Sequence, residues 1–525
     1  MVILGIGGIL GESACAVLKD GVLAGAIEER KLSRTYHAGG LPEQAIAFCL
    51  KQAKVNASQV DYVALARPLG EKSDVGLHLG LRERFPNSQL TLVDHHTAHA
   101  ASAYYTSPFE NASVLTLDRA GDFRCGALWK ASGTGLSLQR DLYFPDSLGH
   151  LYGRVTSLLG FEPGADEHKV QWLSASGDGR FTNLFLEVLG SADGAWPRIN
   201  RAFSDADRFS HGAFSERFYR QLGLAAGERI PEALRPHVAS GLQLAIEQTA
   251  IAMAGSGENL CLGGGLAMNV LLVAAFERSG KWNQVYVQPA AGNSGTSIGA
   301  AAHVWHAVCR QSGRIRLDSL FLGPSFESEE IKQVLENCKL RFRYLPTTGE
   351  LVQEAVQQIS QNKIVAWMQG RAEFGPRALG NRSLLASPLD PYSTENLNTF
   401  VKHREGFRKF AASVPAELAS EYFDVGPNAR FLATVGRVKP AHRKTFESAL
   451  LGSEMVRLHT VAESENPNFW RLLHTAGKAT GLPVLYNTSF NLFGDPLACS
   501  PRDAVRSFYS SGVDAMFAGH FLLTK

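Results

Sequence analysis

Short apolar runs separated by glycine-containing turns dominate the first 30 residues of the chain. The letters VILGIGG, then SACAVLK and VLAGAIEE on either side of Asp20-Gly21, predict three strands with a tight hairpin between the second and the third. The spacing of apolar residues in PEQAIAFCLKQAKV then predicts a helix over 42–55. The chain is therefore predicted to begin with a small antiparallel unit followed by a helix.

The same pattern returns further along the chain. Residues 112–130, ASVLTLDRAGDFRCGALWK, again predict an apolar strand, a glycine turn and a second strand. Residues 258–280 and 284–313 each predict a strand, a glycine-rich turn and a helix, which places backbone N–H groups where an anion or a nucleotide can bind. This repetition predicts an α/β protein whose duplicated N-terminal domain has an actin-like or sugar-kinase-like nucleotide fold (ASKHA).

The alternation weakens between about 305 and 345 and resumes from 350. A chain of 525 residues is longer than a single hydrophobic core usually supports. We therefore expect two domains, over residues 1–320 and 321–525, with an α/β fold in the second as well.

Charge and composition exclude several classes of protein. Lys and Arg number 52 against 50 Asp and Glu, so a net charge of +2 gives no global attraction to nucleic acid or to an anionic membrane. The seven cysteines include no C-x-x-C pair, which argues against a zinc ribbon and fits a reducing cytoplasm. No basic segment precedes the apolar N-terminus, and no run of 18 apolar residues occurs. We expect a cytoplasmic protein with neither a nucleic-acid nor a membrane partner.

Three histidines fall within LVDHHTAHAASAYY, residues 92–105. If this segment is helical, His95 and His99 lie on one face, close enough to share a metal ion, and His96 points elsewhere. Asp94 is suited to cap the start of such a helix. The spacing alone favours the alternative that these histidines are ordinary surface or core residues.

Two aspartates compete for the place of a third metal ligand. Asp118 ends the predicted strand over 112–118, and Asp122 lies in the turn that follows. Either carboxylate suits a divalent ion that also takes imidazole ligands. The alternative for Asp118 is a turn aspartate that binds its own backbone.

The C-terminal region concentrates basic residues in GRAEFGPRALGNR and VKHREGFRKF, and it has no GKS/T phosphate loop. Guanidinium groups bind phosphate oxygens in pairs, although a solvated basic face is the alternative. The basic residues concerned are Arg371, Arg377, Arg382, Lys402, Arg404 and Arg408.

Seven segments spread along the whole chain resemble the NodU/CmcH-type O-carbamoyltransferases. They are DHHTAHAASAYYTSPF, LTLDRAGD, SLGHLYGRVTSLLGFEPGADEHKV, LCLGGGLAMN, QGRAEFGPRALGNRSLLASP, VKHREGFRKFA and LYNTSFNLFGDPL. The resemblance implies a TsaD-like domain of actin-like fold over 1–320, related to the tRNA threonylcarbamoyl transferases. It implies a YrdC-like domain over 321–525.

The resemblance also implies a reaction. ATP, with Mg²⁺ as its natural companion, and carbamoyl phosphate would give carbamoyl-adenylate. The carbamoyl group would then move to a hydroxyl of a small molecule such as a sugar or another natural product. The C-terminal basic residues would bind the two phosphate compounds, with Arg377 and Lys402 as catalytic groups. Further nucleotide or carbamoyl phosphate ligands would be Gly264, Gly265, Asn269, Asn487, Ser489 and Asn491.

By the same resemblance, a divalent metal of iron type is held by His95, His99 and Asp118. The family's fourth ligand, an aspartate, is replaced by Asn293 in PAAGNSG. An amide oxygen is neutral and therefore a weaker ligand than a carboxylate. We expect looser metal binding or a different ligand set here.

The chain departs from the family pattern at the expected general base. The family has a histidine where this chain has Gly11, in the turn GESA. A positioned base accelerates such a transfer by about 10²–10⁴-fold. Glu12 or His37 could replace it, the acceptor could be an amine, or the transfer site could be degenerate. Gln171-Trp172 also replaces a family methionine–glycine pair, which would reshape the acceptor pocket.

Two hypotheses follow for the function. The first is an ATP-dependent carbamoyltransferase acting on a small-molecule acceptor, as a homodimer or with a companion protein. The alternative is a non-catalytic or half-active nucleotide-binding partner of a companion carbamoyltransferase, motivated by Gly11 and Asn293. Modification of tRNA is disfavoured by the balanced charge, and a hydrogenase-maturation role by the lack of cysteine pairs.

Overall fold

In the computed structural model the first strands pair as their apolar pattern predicts. The structure describes residues 1–35, 39–67, 75–121, 123–191, 193–205, 212–492 and 494–525. Lys19 pairs with Val22 across a two-residue loop in which Asp20 has φ 50° and Gly21 has φ 80°. Positive φ at both loop positions is typical of a type I′ turn, which matches the twist of antiparallel strands. The predicted hairpin is confirmed.

The chain up to residue 94 forms one five-stranded sheet with helices. Its elements are β1 (Val2–Gly7), β2 (Ala14–Lys19), β3 (Val22–Glu28), α1 (Glu29–Ser33), α2 (Glu43–Ala53), β4 (Tyr62–Arg67), α3 (Val75–Arg84) and β5 (Gln89–Asp94). The strand order is β3-β2-β1-β4-β5. The helix predicted over 42–55 is α2.

The chain from residue 95 to 303 repeats this plan with longer insertions. Its elements are α4 (His95–Tyr105), β6 (Asn111–Gly121), β7 (Arg124–Ser132), β8 (Gly135–Tyr143), α5 (Leu148–Leu158), α6 (Glu167–Ser174), α7 (Thr182–Leu189), α8 (Glu216–Gln221), α9 (Arg235–Ala254), β9 (Gly257–Gly263), α10 (Val270–Arg278), β10 (Trp282–Val287) and α11 (Thr296–His303). The strand order is β8-β7-β6-β9-β10. In both sheets the strands therefore run third, second, first, fourth, fifth, so the predicted duplication is present in the topology.

The C-terminal region forms a mixed ten-stranded sheet covered by helices. Its elements are α12 (Ser328–Asn337), β11 (Arg343–Tyr344), α13 (Thr348–Ser360), β12 (Val365–Met368), β13 (Arg382–Ala386), α14 (Ser393–Asn396), β14 (Ala411–Pro415), α15 (Ala419–Tyr422), β15 (Phe423–Asp424), β16 (Val435–Val438), β17 (Met455–Val461), α16 (Pro467–Thr480), β18 (Leu485–Ser489), α17 (Pro501–Tyr509), β19 (Ala515–Ala518) and β20 (Phe521–Thr524). The strand order is β11-β20-β19-β12-β13-β18-β14-β17-β16-β15.

Alternating side chains divide the two faces of this sheet. Val456 and Leu458 of β17 belong to an apolar cluster with residues of α12 and α17, whereas α13 and α16 pack on the opposite face. Successive strand residues point to opposite faces. Arg457 and His459, between and beyond these two apolar residues, therefore point to the face that carries α13 and α16.

The chain divides into two compact units. One unit comprises Met1–Ala64, Leu77–Thr91 and Ile315–Lys525, and the other comprises Leu65–Gly76 and Leu92–Arg314. The first 64 residues are thus grouped with the C-terminal region. The predicted domain boundary at 320–321 stays a prediction.

Candidate functional site

Helix α4 brings two of the predicted metal ligands together. The Asp94 side chain accepts a hydrogen bond from the Thr97 backbone N–H at 2.9 Å, so the predicted cap at the helix start is present. His95 and His99 follow at a spacing of four residues, which places them on one helical face. Their Nε2 atoms lie 3.1 Å apart, and both side chains are buried.

Asp118, on β6, completes the cluster that we call the metal triad: His95, His99 and Asp118. Asp118 Oδ2 lies 2.9 Å from His95 Nε2 and 3.1 Å from His99 Nε2. Its other oxygen, Oδ1, accepts a hydrogen bond from the Arg119 N–H at 2.7 Å. The turn bond and the ligand position, considered as alternatives from the sequence, therefore occur together, one on each oxygen.

The spacing of the metal triad fits one face of an octahedron. Metal–ligand bonds of about 2.1 Å at right angles put ligand atoms about 3.0 Å apart. The three ligand atoms lie 2.9–3.1 Å from one another. Two histidines and one carboxylate in this arrangement are typical of non-haem iron sites with open positions.

The protonation states of the metal triad also suit a metal ion. Burial lowers the pKa of His99, and the charge on His95 lowers it further. Burial raises the pKa of the Asp118 carboxyl, but its hydrogen bonds with His95 and His99 lower it by more, so that this pKa lies well below its usual value. Metal binding requires neutral imidazoles and an ionised carboxylate. The pKa shifts of His99 and Asp118 both favour the form that binds a metal.

Glycines allow the metal triad to be this compact. A Cβ atom on Gly121 would lie 2.3 Å from His95 Cδ2, and one on Gly265 would lie 3.0 Å from Asp118 Oδ1. Gly264 has φ +88°, and its Cβ would meet the Leu117 carbonyl oxygen at 2.2 Å. The glycine-rich turn thus packs against the strand that carries Asp118. Nucleotide binding by Gly264 and Gly265 stays a prediction.

Asn269, predicted to bind nucleotide, has its side chain in a buried network. Its Oδ1 accepts hydrogen bonds from the N–H groups of Leu271 and Leu272, both at 3.1 Å, and so caps α10. Its Nδ2 donates to Gln243 Oε1 at 2.8 Å. Its observed role is to start a helix; a contact with nucleotide stays a prediction.

His96 lies outside the metal triad, as its spacing predicts. Its Nδ1 lies 2.9 Å from Thr116 Oγ1 and its Nε2 lies 3.0 Å from the Arg124 carbonyl oxygen. Burial lowers the pKa of His96 to about 3. His96 is therefore a neutral core histidine that joins α4 to β6 and β7.

The remaining metal candidates are less defined. Asn293 begins a short 3₁₀ turn, Asn293–Gly295, just before α11, and its carbonyl oxygen accepts a hydrogen bond from Thr296 Oγ1 at 2.6 Å. Ligation by its side chain stays a prediction. Asp122 lies outside the described residues.

The residues proposed to replace the family's base lie near the start of the chain. A Cβ on Gly11 would meet no atom within 4 Å, so the position has room for a side chain. Glu12 Oε1 lies 3.6 Å from Arg30 Nη1, and both side chains are partly exposed. Catalysis by Glu12 stays a prediction, and His37 lies outside the described residues.

Lys402 ends a π-helical segment in the C-terminal region and is buried. Its ammonium group donates to Asn491 Oδ1 at 2.7 Å, to the Asn491 carbonyl at 2.9 Å and to the Ser489 carbonyl. Burial lowers the pKa of Lys402 well below its usual value, and Arg404 and Arg408 lower it further. The predicted residues of VKHREGFRKF and NTSFN are thus in direct contact.

Further cations surround this lysine, and we call them together the cation cluster: Arg377, Lys402, Arg404, Arg408 and Arg457. Burial lowers the pKa of Arg377 to about 10, and burial with Arg408 lowers that of Arg404 to about 9. Burial lowers the pKa of Arg457 well below its usual value, and Arg377, Arg404 and Arg408 lower it further. These cations are close enough to repel one another.

Arg457 was missed from the sequence. The signal was present in MVRLHTV, where Arg457 and His459 alternate with buried Val456 and Leu458. When anion ligands are predicted from a sequence, a basic residue at an inward position of a strand should be considered as readily as one in a glycine-rich loop.

Arg371 and Arg382 use their guanidinium groups on backbone carbonyls. Arg371 Nε donates to the Gly323 carbonyl at 2.9 Å, and Arg382 Nη2 donates to the Gly370 carbonyl at 3.1 Å. Arg382 is fully buried. Both arginines brace the loop around Gly370 in the observed state; anion binding by them stays a prediction.

Helix α1, from the start of the chain, holds two loops of the C-terminal region. Lys31 Nζ donates to the carbonyls of Glu373 and Gly375, each at 2.7 Å, and forms a buried ion pair with Glu28 at 2.8 Å. Glu28 Oε1 accepts a hydrogen bond from the Gly375 N–H at 2.9 Å. Just after the helix, Arg34 donates to the carbonyls of residues 496 and 497, at 2.8 and 2.7 Å. We call Glu28, Lys31 and Arg34 the α1 clamp.

A polar cavity of about 230 Å³ lies beside the α1 clamp. Lys31 and Arg30 line one side, and Gly375, Ser489 and Asn491 line another. The same Ser489 and Asn491 contact Lys402. The cavity therefore adjoins the cation cluster.

In the part of the chain that the structure describes, no helix combines the length and the apolar character needed to cross a membrane.

Comparison with known proteins gives matches over most of the chain. The family model described as Carbamoyltransferase N-terminus matches residues 2–74 and 72–302, and the one described as Carbamoyltransferase C-terminus matches residues 356–525. The chain is 32% identical to the nodulation protein NolNO of Sinorhizobium fredii, over 98% of this chain and 79% of that protein. It is 30% identical to an uncharacterized protein of Synechocystis sp., over 100% of this chain and 96% of that protein.

Solved structures are more distant. Component A of (R)-2-hydroxyglutaryl-CoA dehydratase from Acidaminococcus fermentans is 14% identical, with a TM-score of 0.38 over 59% of this chain and 99% of that one. HypF from T. kodakarensis is 14% identical, with a TM-score of 0.33 over 57% of this chain and 47% of that one. The assignment of the fold therefore depends on the strand orders given above.

Proposed function

The chain belongs to the carbamoyltransferase family, and from this premise we propose that it makes carbamoyl-adenylate from ATP and carbamoyl phosphate and transfers the carbamoyl group to a small molecule. The observation that carries the proposal is the cation cluster. Burial and mutual repulsion lower the pKa values of Lys402, Arg404 and Arg457. Bound anions would reduce the repulsion among these cations, and both co-substrates are polyanions.

The cation cluster suits the activation step for a second reason. ATP and carbamoyl phosphate repel each other, and guanidinium groups overcome this repulsion through paired, charge-assisted hydrogen bonds. In phosphoryl and adenylyl transfer, positioning and charge neutralisation supply most of the rate enhancement. Arg377, Arg404, Arg408 and Arg457 would supply that charge, and Lys402 would hold the loop of Ser489 and Asn491 against it.

The proposed activation chemistry balances as two steps, and a transfer step follows in which an oxygen or nitrogen of the acceptor bonds to the carbamoyl carbon, the acceptor loses a proton and AMP leaves. Water and carbamoyl phosphate give carbamate and phosphate, as the bond between the carbamoyl group and phosphate breaks. A carbamate oxygen then forms a bond to the α-phosphorus of ATP, while the bond between the α- and β-phosphates breaks and pyrophosphate leaves. Carbamoyl-adenylate retains the amino group of the original substrate.

The metal triad is proposed as part of the transfer site. His95, His99 and Asp118 would hold a divalent ion, and iron agrees with the ligand types and the facial spacing. When bound, such an ion supplies Lewis acidity. The protein's own part is to hold two imidazoles and one carboxylate in place, which the Asp94 cap and the close packing of Gly121 against His95 do.

Pyrophosphate release tests the activation step. The full-length protein with ATP should release pyrophosphate only when carbamoyl phosphate is added. Arg457→Gln should abolish most of this release, whereas Arg437→Gln should preserve it, since Arg437 lies on the neighbouring strand β16 and pairs with Glu454 near the surface. A folded wild-type protein that releases no pyrophosphate would exclude the proposal.

A second candidate is a half-active partner that forms the adenylate but does not transfer it. Gly11, in place of the family histidine, and Asn293, in place of an aspartate, favour it. The open space around Gly11 permits a direct test with Gly11→His, alone and with Asn293→Asp. Carbamoyl transfer that appears only in these variants would support the partner role, and transfer by the unmodified chain would exclude it.

A further inference from the structure

Asn487 lies in a row of residues that crosses three strands of the C-terminal sheet. On β18 it pairs with Ala411 of β14, and Ala411 pairs with Arg457 of β17. Residues directly opposite one another point to the same face, and neighbouring strands lie about 4.8 Å apart. Asn487 on β18 and Arg457 on β17 therefore point to the same face of the sheet. The one strand between them, β14, has only the small side chain of Ala411 at this position.

Both N–H groups of the Asn487 amide are already used. Nδ2 donates to the Ala378 carbonyl at 3.2 Å and to Ser413 Oγ at 3.1 Å. A backbone carbonyl can only accept, so it fixes which end of the amide is the nitrogen. Asn487 therefore cannot be a donor to phosphate oxygens without breaking one of these bonds.

The other end of the amide has no donor. Asn487 is 3% exposed, and its Oδ1 is buried and accepts no hydrogen bond from the described residues. A buried acceptor without a partner costs about 1–3 kcal/mol, and such groups are rare in native proteins. A ligand that brings an N–H or O–H group would remove this cost.

A relay of buried groups lies beneath Asn487. Ser413 Oγ receives the hydrogen bond from Asn487 and lies 3.0 Å from His459 Nδ1. Burial lowers the pKa of His459 to about 3, which keeps this ring neutral at neutral pH. The relay therefore joins Asn487, Ser413 and His459 by hydrogen bonds without placing a positive charge beneath the amide.

We propose that the Asn487 carbonyl oxygen accepts a hydrogen bond from the amino group of the carbamoyl substrate, and so selects carbamoyl phosphate over acyl phosphates that have a methyl group at that position. This inference rests on the proposed function. The cation cluster, with Arg457 in the same row, would bind the phosphate groups, which all acyl phosphates share. The Asn487 carbonyl oxygen would recognise the amino group, which is the group that distinguishes carbamoyl phosphate from the other acyl phosphates.

Acetyl phosphate is the probe for the test, because it differs from carbamoyl phosphate by a methyl in place of the amino group. Pyrophosphate release by the full-length protein gives the KM for carbamoyl phosphate and the Ki for acetyl phosphate as a competitor. Asn487→Leu removes the acceptor and should raise the KM for carbamoyl phosphate by about 10–100-fold, the equivalent of one buried hydrogen bond. The Ki for acetyl phosphate should change by less than about threefold, and the control Gln353→Leu, an exposed amide on α13, should change neither.

Three outcomes would overturn the inference. One is a ratio of KM to Ki that is the same in Asn487→Leu and in the wild type. Another is a wild-type protein that binds acetyl phosphate as tightly as carbamoyl phosphate, a measurement that needs no variant and decides the case if Asn487→Leu does not fold. The third is a wild type without pyrophosphate release, which alone would also overturn the proposed function.

Discussion

The metal triad places one carboxylate beside two imidazoles, whereas the cation cluster brings five cations together. In the triad, Asp118 bonds both histidines, and its pKa falls because they are there. In the cluster, Arg404 and Arg408 each lower the pKa of Lys402. The triad therefore pairs a carboxylate with imidazoles, whereas the cluster gathers like charges, so the function of the cluster should be the more sensitive to single changes of charge.

The largest effect should come from the α1 clamp, which holds two loops beside the cavity that adjoins the cation cluster. Lys31→Met leaves the buried Glu28 carboxylate without its cation, and breaking a buried ion pair from one side costs about 3–5 kcal/mol. Denaturant unfolding of the full chain measures this loss. Lys332→Met, in an exposed pair with Glu336, should cost less than about 0.5 kcal/mol. The double variant Glu28→Gln/Lys31→Met should be more stable than Lys31→Met; equal stability would show that the pair's charge is not the cause.

The second largest effect is expected from Arg457→Gln, which should impair the cation cluster and leave the metal triad unchanged. Removing one preorganised charge from a site of developing negative charge costs about 10²–10³-fold in rate. Release of pyrophosphate should therefore fall by that factor, while metal content stays at the wild-type value. A parallel loss of metal would mean that the two sites are not independent.

Asp118→Asn should have the opposite pattern of effects: metal binding should be lost while pyrophosphate release remains. The variant loses the anionic ligand that both imidazoles face, and metal affinity should fall by about 100-fold or more. Metal titration with Fe²⁺ or Zn²⁺ measures the loss, and pyrophosphate release should remain. Asp141→Asn, a partly exposed carboxylate on β8, is the control and should leave metal affinity unchanged.

The last effect is absent at neutral pH, grows only with acid, and concerns the relay under Asn487. The pKa of His459 is lowered to about 3 in the folded state, against about 6.5 when unfolded. The unfolded chain then binds more protons between these values, so the free energy of unfolding should fall as the pH drops below 6.5. His459 alone contributes about 1.4 kcal/mol per pH unit to the slope of the unfolding free energy against pH. His459→Gln should flatten the slope by that amount in unfolding experiments between pH 6.5 and 4; an unchanged slope would contradict the assignment.

The two sites also differ in how far the sequence reveals them. The spacing of His95 and His99 and the strand ending in Asp118 predict the triad, because local periodicity and one strand pairing bring the three residues together. The cation cluster was predicted in part, through Arg377, Lys402, Arg404 and Arg408. Arg457 was missed because its environment is set by strands far away in sequence.

Hydrogen-bond partners lie beyond sequence reasoning for a physical reason. Arg371 and Arg382 look like anion ligands in a glycine-rich motif, yet they donate to backbone carbonyls. Any loop offers such carbonyls, and only the folded path of the chain shows which ones need a donor. The same holds for Asn487, whose donors are used by Ala378 and Ser413. The grouping of the first 64 residues with the C-terminal region had no local signal at all.

The α1 clamp limits which chimeric proteins can be made by exchanging C-terminal halves between relatives. A fusion that exchanged the chain after residue 320 would separate Lys31 and Arg34 from the loops they hold. Among the described residues, the hydrogen bonds from these two side chains to the C-terminal loops go to main-chain carbonyls, which every amino acid carries. Arg34 also faces the carboxylates of Asp495 and Asp503, at 3.9 and 3.5 Å. A foreign C-terminal half would therefore be accepted or refused by the course of its backbone near 373–375 and 496–497 and by these two charges. A chimera could work between relatives whose loops share a path and the two aspartates but little other sequence.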